Sequence, residues 1–224
     1  MKKVNYQMSE SLLISAILSF SGGLQDTYTY LIRGEVFANA QTGNVVLLSR
    51  YIMTGDFKSG LHYLLPVIAF VIGIIVAEQI DYRFKYHERL HWRQIILVIQ
   101  SILLVIVGIL PLSLNTLANM LVSLSCAMQV QSFRKVRGHS YASTMIIGNI
   151  RSGTESFSKF LRDKNRDMLL QSLYYYGIIL VFALGAGIGS LLSNVLGIYT
   201  IWASALLLLI SCMILSLVRP NSIE

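Results

Sequence analysis

Long apolar stretches alternate with short polar ones along this chain. Residues 61–80 carry Glu78 as their only charged side chain, and residues 95–114 and 169–218 carry none. A helix of about 20 apolar residues spans the hydrocarbon core of a bilayer, which is about 30 Å thick. The pattern therefore predicts an all-α polytopic membrane protein.

Six segments are long enough to cross a membrane. They are residues 10–32, 62–82, 93–113, 115–133, 169–191 and 197–218. Two further segments, 36–52 and 140–158, are shorter, more polar and interrupted by glycine. The hypothesis that these two also cross competes with the hypothesis that they are re-entrant, entering the membrane and returning to the same side.

The distribution of basic residues favours the re-entrant hypothesis, because short cytoplasmic loops of membrane proteins collect Lys and Arg. With six crossings, 15 of the 18 basic residues fall on the cytoplasmic side and only Arg33, Arg50 and Lys58 fall outside. With eight crossings the division is 10 to 8, which is almost no bias. We therefore predict six transmembrane helices plus two re-entrant or broken helices, with both termini cytoplasmic.

Composition and charge exclude several classes of protein. The chain of 224 residues is 54% hydrophobic and 13% charged, with a mean hydropathy of +0.62, whereas a soluble domain is about 25% charged. Cys126 and Cys212 lie in apolar segments, which argues against a disulfide framework. The net charge of +7 comes from basic loops, which predicts contact with anionic lipid and no nucleic-acid partner.

We expect no cofactor and no metal site. His87 and His91 are four residues apart in a basic loop, but only Glu88 is close to them in sequence. The chain contains no phosphate-binding glycine loop, no nucleophile elbow and no zinc-protease helix motif.

The two halves of the chain resemble each other. A shift of 104 residues aligns serine, glutamine, arginine and glycine positions of the two halves. A shift of 105 residues aligns Gly43-Asn44 with Gly148-Asn149. The aligned pairs are Ser19 and Ser123, Ser21 and Ser125, Gln25 and Gln129, Arg33 and Arg137, and Gly34 and Gly138. Three crossings per half give an inverted-topology repeat, which transporters use to build a site near the midplane. The competing interpretation is chance recurrence of Ser and Gly. The predicted halves are residues 1–113, with the re-entrant segment 36–52, and 114–224, with the segment 140–158.

Asp26 is an acidic residue inside the first predicted span. A carboxylate at that depth is costly and usually faces a cavity or a partner, and Gln25, Thr27 and Tyr30 make its surroundings polar. One hypothesis gives it a proton- or cation-linked role. The other is structural, with Asp26 capping a helix or binding the backbone of the re-entrant segment. Its counterpart in the second half is Val130, so ion coupling would be asymmetric.

The polar block 39–44 and its second copy 147–149 are the other candidate site. Thr42-Gly43-Asn44 suits the start of a half-helix, whose free N–H groups attract anionic groups. The alternative is architectural, with two broken helices satisfying each other's backbone. Arg151 either pairs locally with Glu155 or reaches Asp26. The predicted solute- or ion-binding residues are Gln25, Asp26, Tyr30, Asn39, Gln41, Thr42, Gly43, Asn44, Gln129, Gly148, Asn149 and Arg151. We expect no catalytic residue among them.

One block of residues resembles a known family. Gly22-Gly23, Asp26, Gly34, Phe37 and Thr42-Gly43-Asn44 resemble the YoaK-like family of bacterial inner-membrane proteins, a domain of unknown function. The resemblance extends over nearly the whole chain and is looser in the second half, where Ile147 replaces Thr42. It implies a six-span protein of the bacterial cytoplasmic membrane, and no substrate or reaction.

The best-supported hypothesis is a permease for a small solute or ion, with its site where the re-entrant segments meet near Asp26. At about 25 kDa the chain is small for a transporter, which is compatible with a homodimer. The first alternative is a membrane scaffold or lipid-binding protein. The second is an intramembrane lipid-modifying enzyme, which requires Glu78 or Asp81 to face a cavity with Asp26 or Glu155.

Overall fold

A computed structural model of the chain describes residues 8–85 and 91–217. These residues form eight α-helices and one short antiparallel hairpin. The helices are α1 (Leu12–Ile32), α2 (Gln41–Met53), α3 (Phe57–Phe84), α4 (Trp92–Ile109), α5 (Asn115–Ser132), α6 (Ile146–Asp163), α7 (Arg166–Leu196) and α8 (Ile201–Leu217), and the strands are β1 (Lys135–Val136) and β2 (His139–Ser140). Lys2, Lys3, His87, Glu88, Arg89 and Arg219, which entered the charge and metal arguments, lie outside the described residues.

The helices coincide with the segments predicted from the sequence. Each of the six long segments overlaps one of α1, α3, α4, α5, α7 and α8, and the two shorter segments overlap α2 and α6, which ends five residues later than predicted. The third and seventh helices are longer than predicted, at 28 and 31 residues, because their first turns are capped by Asp56 and Asn165 outside the apolar stretches.

Two central helices, α1 and α5, organise the bundle. α1 packs against α7 and α8, and α5 packs against α3 and α4. The short helices lie on the outside of the bundle, α2 against α3 and α6 against α7, while α4 and α8 contact each other. The helices of the two halves therefore pair in the same way.

Three stretches are long and apolar enough to cross a membrane: Phe57–Phe84, Trp92–Ile109 and the continuous run Arg166–Leu217. The first and fifth helices carry more polar side chains, and about half of their residues are buried inside the bundle. Polar groups at membrane depth are tolerated where protein surrounds them. The fold is therefore that of an all-helical membrane protein in which the two of the six long helices with the highest share of polar side chains lie at the centre.

The central helices approach their neighbours closely at glycines. A Cβ on Gly185 of α7 would overlap the backbone carbonyl oxygen of Phe20 in α1. A Cβ on Gly73 of α3 would lie 2.5 Å from the carbonyl oxygen of Leu124 in α5. Small residues permit such backbone contacts, which drive helix association in membranes.

Arg33 is buried, although it was predicted to lie in an outer loop. Its guanidinium donates to the carbonyl oxygens of Val107 (2.8 Å), Leu110 (2.9 Å) and Pro111 (3.3 Å) at the end of α4. It also donates to Tyr28 Oη (2.7 Å) and Asn115 Oδ1 (3.2 Å). A cation bonded to the free carbonyls of a helix C-terminus is stabilised by the helix dipole, so burial is tolerated here.

We expect Gly185→Ala to lower the thermal stability of the purified protein, because the new methyl group overlaps the Phe20 carbonyl. Overpacking of this kind costs about 1–3 kcal/mol. Gly187→Ala is the matched control, since no atom lies within 4 Å of its Cβ position and Ala is the better helix former by about 0.5–1 kcal/mol. Thermal unfolding in detergent measures both. Equal stability of the two variants would contradict the close contact between Gly185 and the Phe20 carbonyl.

Candidate functional site

Two extended segments, each just ahead of one of the short helices, lie at the centre of the bundle. The first, residues 34–40, joins α1 to α2, and the second, residues 141–145, joins the hairpin to α6. Asn44 Nδ2 donates to the carbonyl oxygen of Phe37 (2.8 Å), and Asn149 Nδ2 donates to that of Ala142 (2.7 Å). In both halves, an amide in the first turn of the short helix therefore folds back onto a residue seven positions earlier.

Both segments reach Gly22, halfway along α1. Asn39 Nδ2 donates to the carbonyl oxygen of Gly22 (3.2 Å). Thr144 lies against the same glycine, with its Cβ 3.5 Å from where a Gly22 Cβ would be. A larger residue at position 22 would push Thr144 away, so the glycine permits the two segments to meet.

Asp26 lies one turn beyond Gly22 and is buried. Its Oδ1 accepts a hydrogen bond from the backbone N–H of Asn39 (2.8 Å). Among the described residues, no Lys, Arg or His forms an ion pair with Asp26. The carboxylate therefore occupies the position ahead of α2 where the sequence predicted an anionic solute.

A second set of polar contacts surrounds this point. Gln25 Nε2 donates to Ser204 Oγ of α8 (2.7 Å), and its Oε1 accepts from the thiol of Cys126 in α5 (2.9 Å). Gln129 Nε2 donates to Ser143 Oγ (2.8 Å) and to the carbonyl oxygen of Leu18 (3.2 Å). These glutamines tie α1, α5, α8 and the second extended segment together.

Several buried oxygen atoms near Gly22 make no hydrogen bond among the described residues. They are Ser19 Oγ, Asn39 Oδ1 and Thr144 Oγ1. The side chains are at least nine-tenths buried, with exposed fractions of 0% for Ser19, 7% for Asn39 and 6% for Thr144. Buried polar atoms are normally paired, so these three have unused capacity for a ligand.

The structure brings most predicted site residues together around Gly22 or along the segments that lead to it: Gln25, Asp26, Asn39, Gln41, Asn44, Gln129 and Asn149. The others lie further out. Tyr30 is partly exposed and stacks on Phe37, with ring centroids 4.8 Å apart. Thr42 and Gly148 are exposed, and the Gly43 Cβ position lies 3.4 Å from the Phe37 ring.

Arg151 does not reach Asp26. It is exposed on α6, and the ion pair of Glu155 is with Lys159 (2.7 Å) instead. Glu78 pairs with Arg134 (2.5 Å) on an exposed surface. Glu78 and Glu155 therefore each pair with a basic residue of their own, and no hydrogen bond or ion pair among the described residues joins Glu78 to Asp26 or Glu155, as the lipid-modifying hypothesis requires.

Sequence reasoning missed four residues of the site: Ser19, Cys126, Ser143 and Thr144. Ser19 was noted only as one of the aligned serines of the repeat. The other signal was positional, since shifting Asn39 by 105 residues, as for Gly43-Asn44, gives Thr144. Cys126 carried no signal, because a single cysteine in an apolar segment is usually a small buried residue.

Comparison with known proteins agrees with a membrane protein. Residues 14–214 match the model of a protein family described as "Protein of unknown function (DUF1275)", and the chain belongs to this family. It is 26% identical over 183 residues to the UPF0700 transmembrane protein YoaK of Bacillus subtilis (strain 168), covering 74% of this chain and 80% of that protein. No solved structure matches the chain at a significant level.

We expect Asn149→Asp to destabilise the protein, because a carboxylate has no N–H to donate and repels the carbonyl oxygen of Ala142. A buried acceptor left unpaired costs about 1–3 kcal/mol. Asn165→Asp is the control, since Asn165 Oδ1 caps α7 by accepting from Asp167 N (2.9 Å) and Asp caps helices equally well. Thermal unfolding distinguishes the two, and a control that melts as low as Asn149→Asp would contradict the role of the amide.

Proposed function

We propose that this protein is a permease for a small solute or ion, with its site around Gly22 and Asp26. The observation that carries the proposal is the meeting of two extended segments, one from each half, beside a buried carboxylate without a basic partner among the described residues. Broken helices that meet near the midplane are the usual binding sites of transporters built from inverted repeats.

The proposal includes an inverted repeat of residues 1–113 and 114–224, with six crossings and two re-entrant segments. Its support lies in matching contacts. Phe20 and Leu124, which are 104 residues apart, meet Gly185 and Gly73 in the same way. The amides of Asn44 and Asn149, which are 105 residues apart, bind carbonyl oxygens that are also 105 residues apart.

The orientation of the protein in the membrane and its lipid partner are proposed from the distribution of basic residues. We propose a location in the bacterial inner membrane with both termini cytoplasmic, because most basic residues then face the cytoplasm. The hairpin end of the bundle, where β1 and β2 lie beside the first turn of α1, carries exposed Arg134, Lys135 and Arg137. Anionic lipid is the partner expected there.

We also propose that the protein forms a homodimer.

The residues near Gly22 have different roles in the proposed transport. Asp26 balances the charge of a proton or cation, and the Asn39 amide and Thr144 hydroxyl bind the solute. Asn44 and Asn149 hold the extended segments in place. The two halves rock about this point to expose it to either side, as in other inverted-repeat transporters.

We expect Asp26→Asn to abolish solute-dependent flux into liposomes while the protein still folds, because an amide oxygen still accepts from Asn39 N–H but carries no charge. Asp56→Asn is the matched control. Asp56 caps α3 by accepting from Ser59 N (3.1 Å) and is exposed, so Asn replaces it with flux unchanged. Uptake by reconstituted vesicles, screened over ions and small organic solutes, is the measurement.

A membrane scaffold or lipid-binding protein is the second candidate. The bond between Asp26 and the backbone of Asn39 favours it, because the carboxylate then completes the fold of the extended segment. On this hypothesis Asp26→Asn lowers the melting temperature in every buffer and no solute moves with either form. That result would replace the permease proposal.

A further inference from the structure

The unpaired groups around Gly22 share one chemical property, which is that they accept hydrogen bonds or bind cations. Asn39 donates one side-chain N–H to the Gly22 carbonyl oxygen and its backbone N–H to Asp26, and its Oδ1 has no partner among the described residues. Thr144 Oγ1 and Ser19 Oγ are oxygen atoms as well. The site therefore offers oxygen atoms and one carboxylate.

These groups lie on one face of α1. Ser19, Gly22 and Asp26 follow at intervals of three and four residues, which places them on the same side of the helix. Asn39 and Thr144 reach that side from the two extended segments, both at Gly22. Five residues from three parts of the chain thus lie along two turns of α1.

An anion is a poor fit to this arrangement. The sequence predicted free backbone N–H groups at the start of α2 that attract negative charge. The Asp26 carboxylate already accepts from the backbone N–H ahead of that helix. A bound anion would be repelled by this carboxylate at close range. No described ion pair gives Asp26 a basic partner that would offset the repulsion.

We infer that the site beside Gly22 binds a small monovalent cation, held by the Asp26 carboxylate, Asn39 Oδ1 and the Thr144 hydroxyl. Oxygen ligands of this kind suit hard cations, and an ammonium ion satisfies the same acceptors with its N–H groups. A single carboxylate balances one charge, whereas divalent ions usually take several. This inference deepens the proposed function and rests on it for the idea that the cation is moved.

A row of polar atoms links this site to the hairpin end of the bundle. Tyr141 and Ser15 face each other between the second extended segment and α1. Both hydroxyls are buried and lack a hydrogen bond of normal geometry among the described residues. Ser15 is one turn from Ser19 on the same face of α1. The row gives the cation a route from the hairpin end that passes from oxygen to oxygen.

The test uses Thr144→Val in the full-length protein. Because Thr144 Oγ1 has no partner, removing it breaks no hydrogen bond of the described structure, and valine keeps the branched shape in an extended segment. Thr200→Val is the control, since Thr200 also has a buried hydroxyl without a partner but lies before α8, outside this site. Asp26→Asn completes the set.

Melting temperature is measured in detergent with sodium, potassium or ammonium chloride, against N-methyl-glucamine chloride at equal ionic strength. We expect at least one small cation to raise the melting temperature of the wild type and of Thr200→Val by several degrees, saturably, as ligand linkage requires. The rise is expected to disappear in Thr144→Val and Asp26→Asn, while Thr144→Val melts like wild type in N-methyl-glucamine chloride.

The outcomes separate this inference from the proposed function. A cation effect that persists in Thr144→Val, or stabilisation by anions or neutral solutes alone, would overturn the cation site even if liposomes show flux. A cation effect that depends on Thr144 and Asp26, without cation uptake into liposomes, would establish the site and refute the permease.

Discussion

The fold depends on the pairing of backbone polar groups where the chain is not helical. Each unpaired N–H or C=O in hydrocarbon costs several kcal/mol, so extended backbone at membrane depth persists only against protein or water. Asn44 and Asn149 supply such partners to the two extended segments, and Asp26 supplies one to Asn39. Without these side chains, backbone groups of the two segments would lack hydrogen-bond partners, and the segments would not be stable at the centre of the bundle.

The same constraint explains the composition of the central helices. The extended segments also bond to α1 through Asp26 and to α5 through Gln129, and these two helices carry Gln, Ser and Asn where the outer long helices carry Leu and Ile. α3, α4, α7 and α8 then enclose them with apolar surface. The bundle buries polar side chains within an apolar core and has an apolar exterior.

The two halves of the chain contribute different polar groups to the centre of the bundle, and this difference decides what the centre can bind. Asn44 and Asn149 act alike, but Asp26 has Val130 as its counterpart and Asn39 has Thr144. One half therefore supplies the charge at the centre and the other supplies a hydroxyl without a partner. A structural role accounts for the paired asparagines and leaves the unpaired oxygens unexplained, which is why a ligand is the better account of them.

The sequence by itself determined the membrane class, the eight helices and most of the polar residues at the centre, because apolar run length and buried polarity are local properties that a bilayer enforces. Only the tertiary structure decided that Thr42, Gly148 and Arg151 are exposed, that Arg33 is buried against the end of α4, and that Ser19 and Thr144 join Asp26. These outcomes depend on which face of each helix its neighbours cover. That is set by close contacts between segments far apart in sequence, such as Gly22 with Thr144 and Phe20 with Gly185.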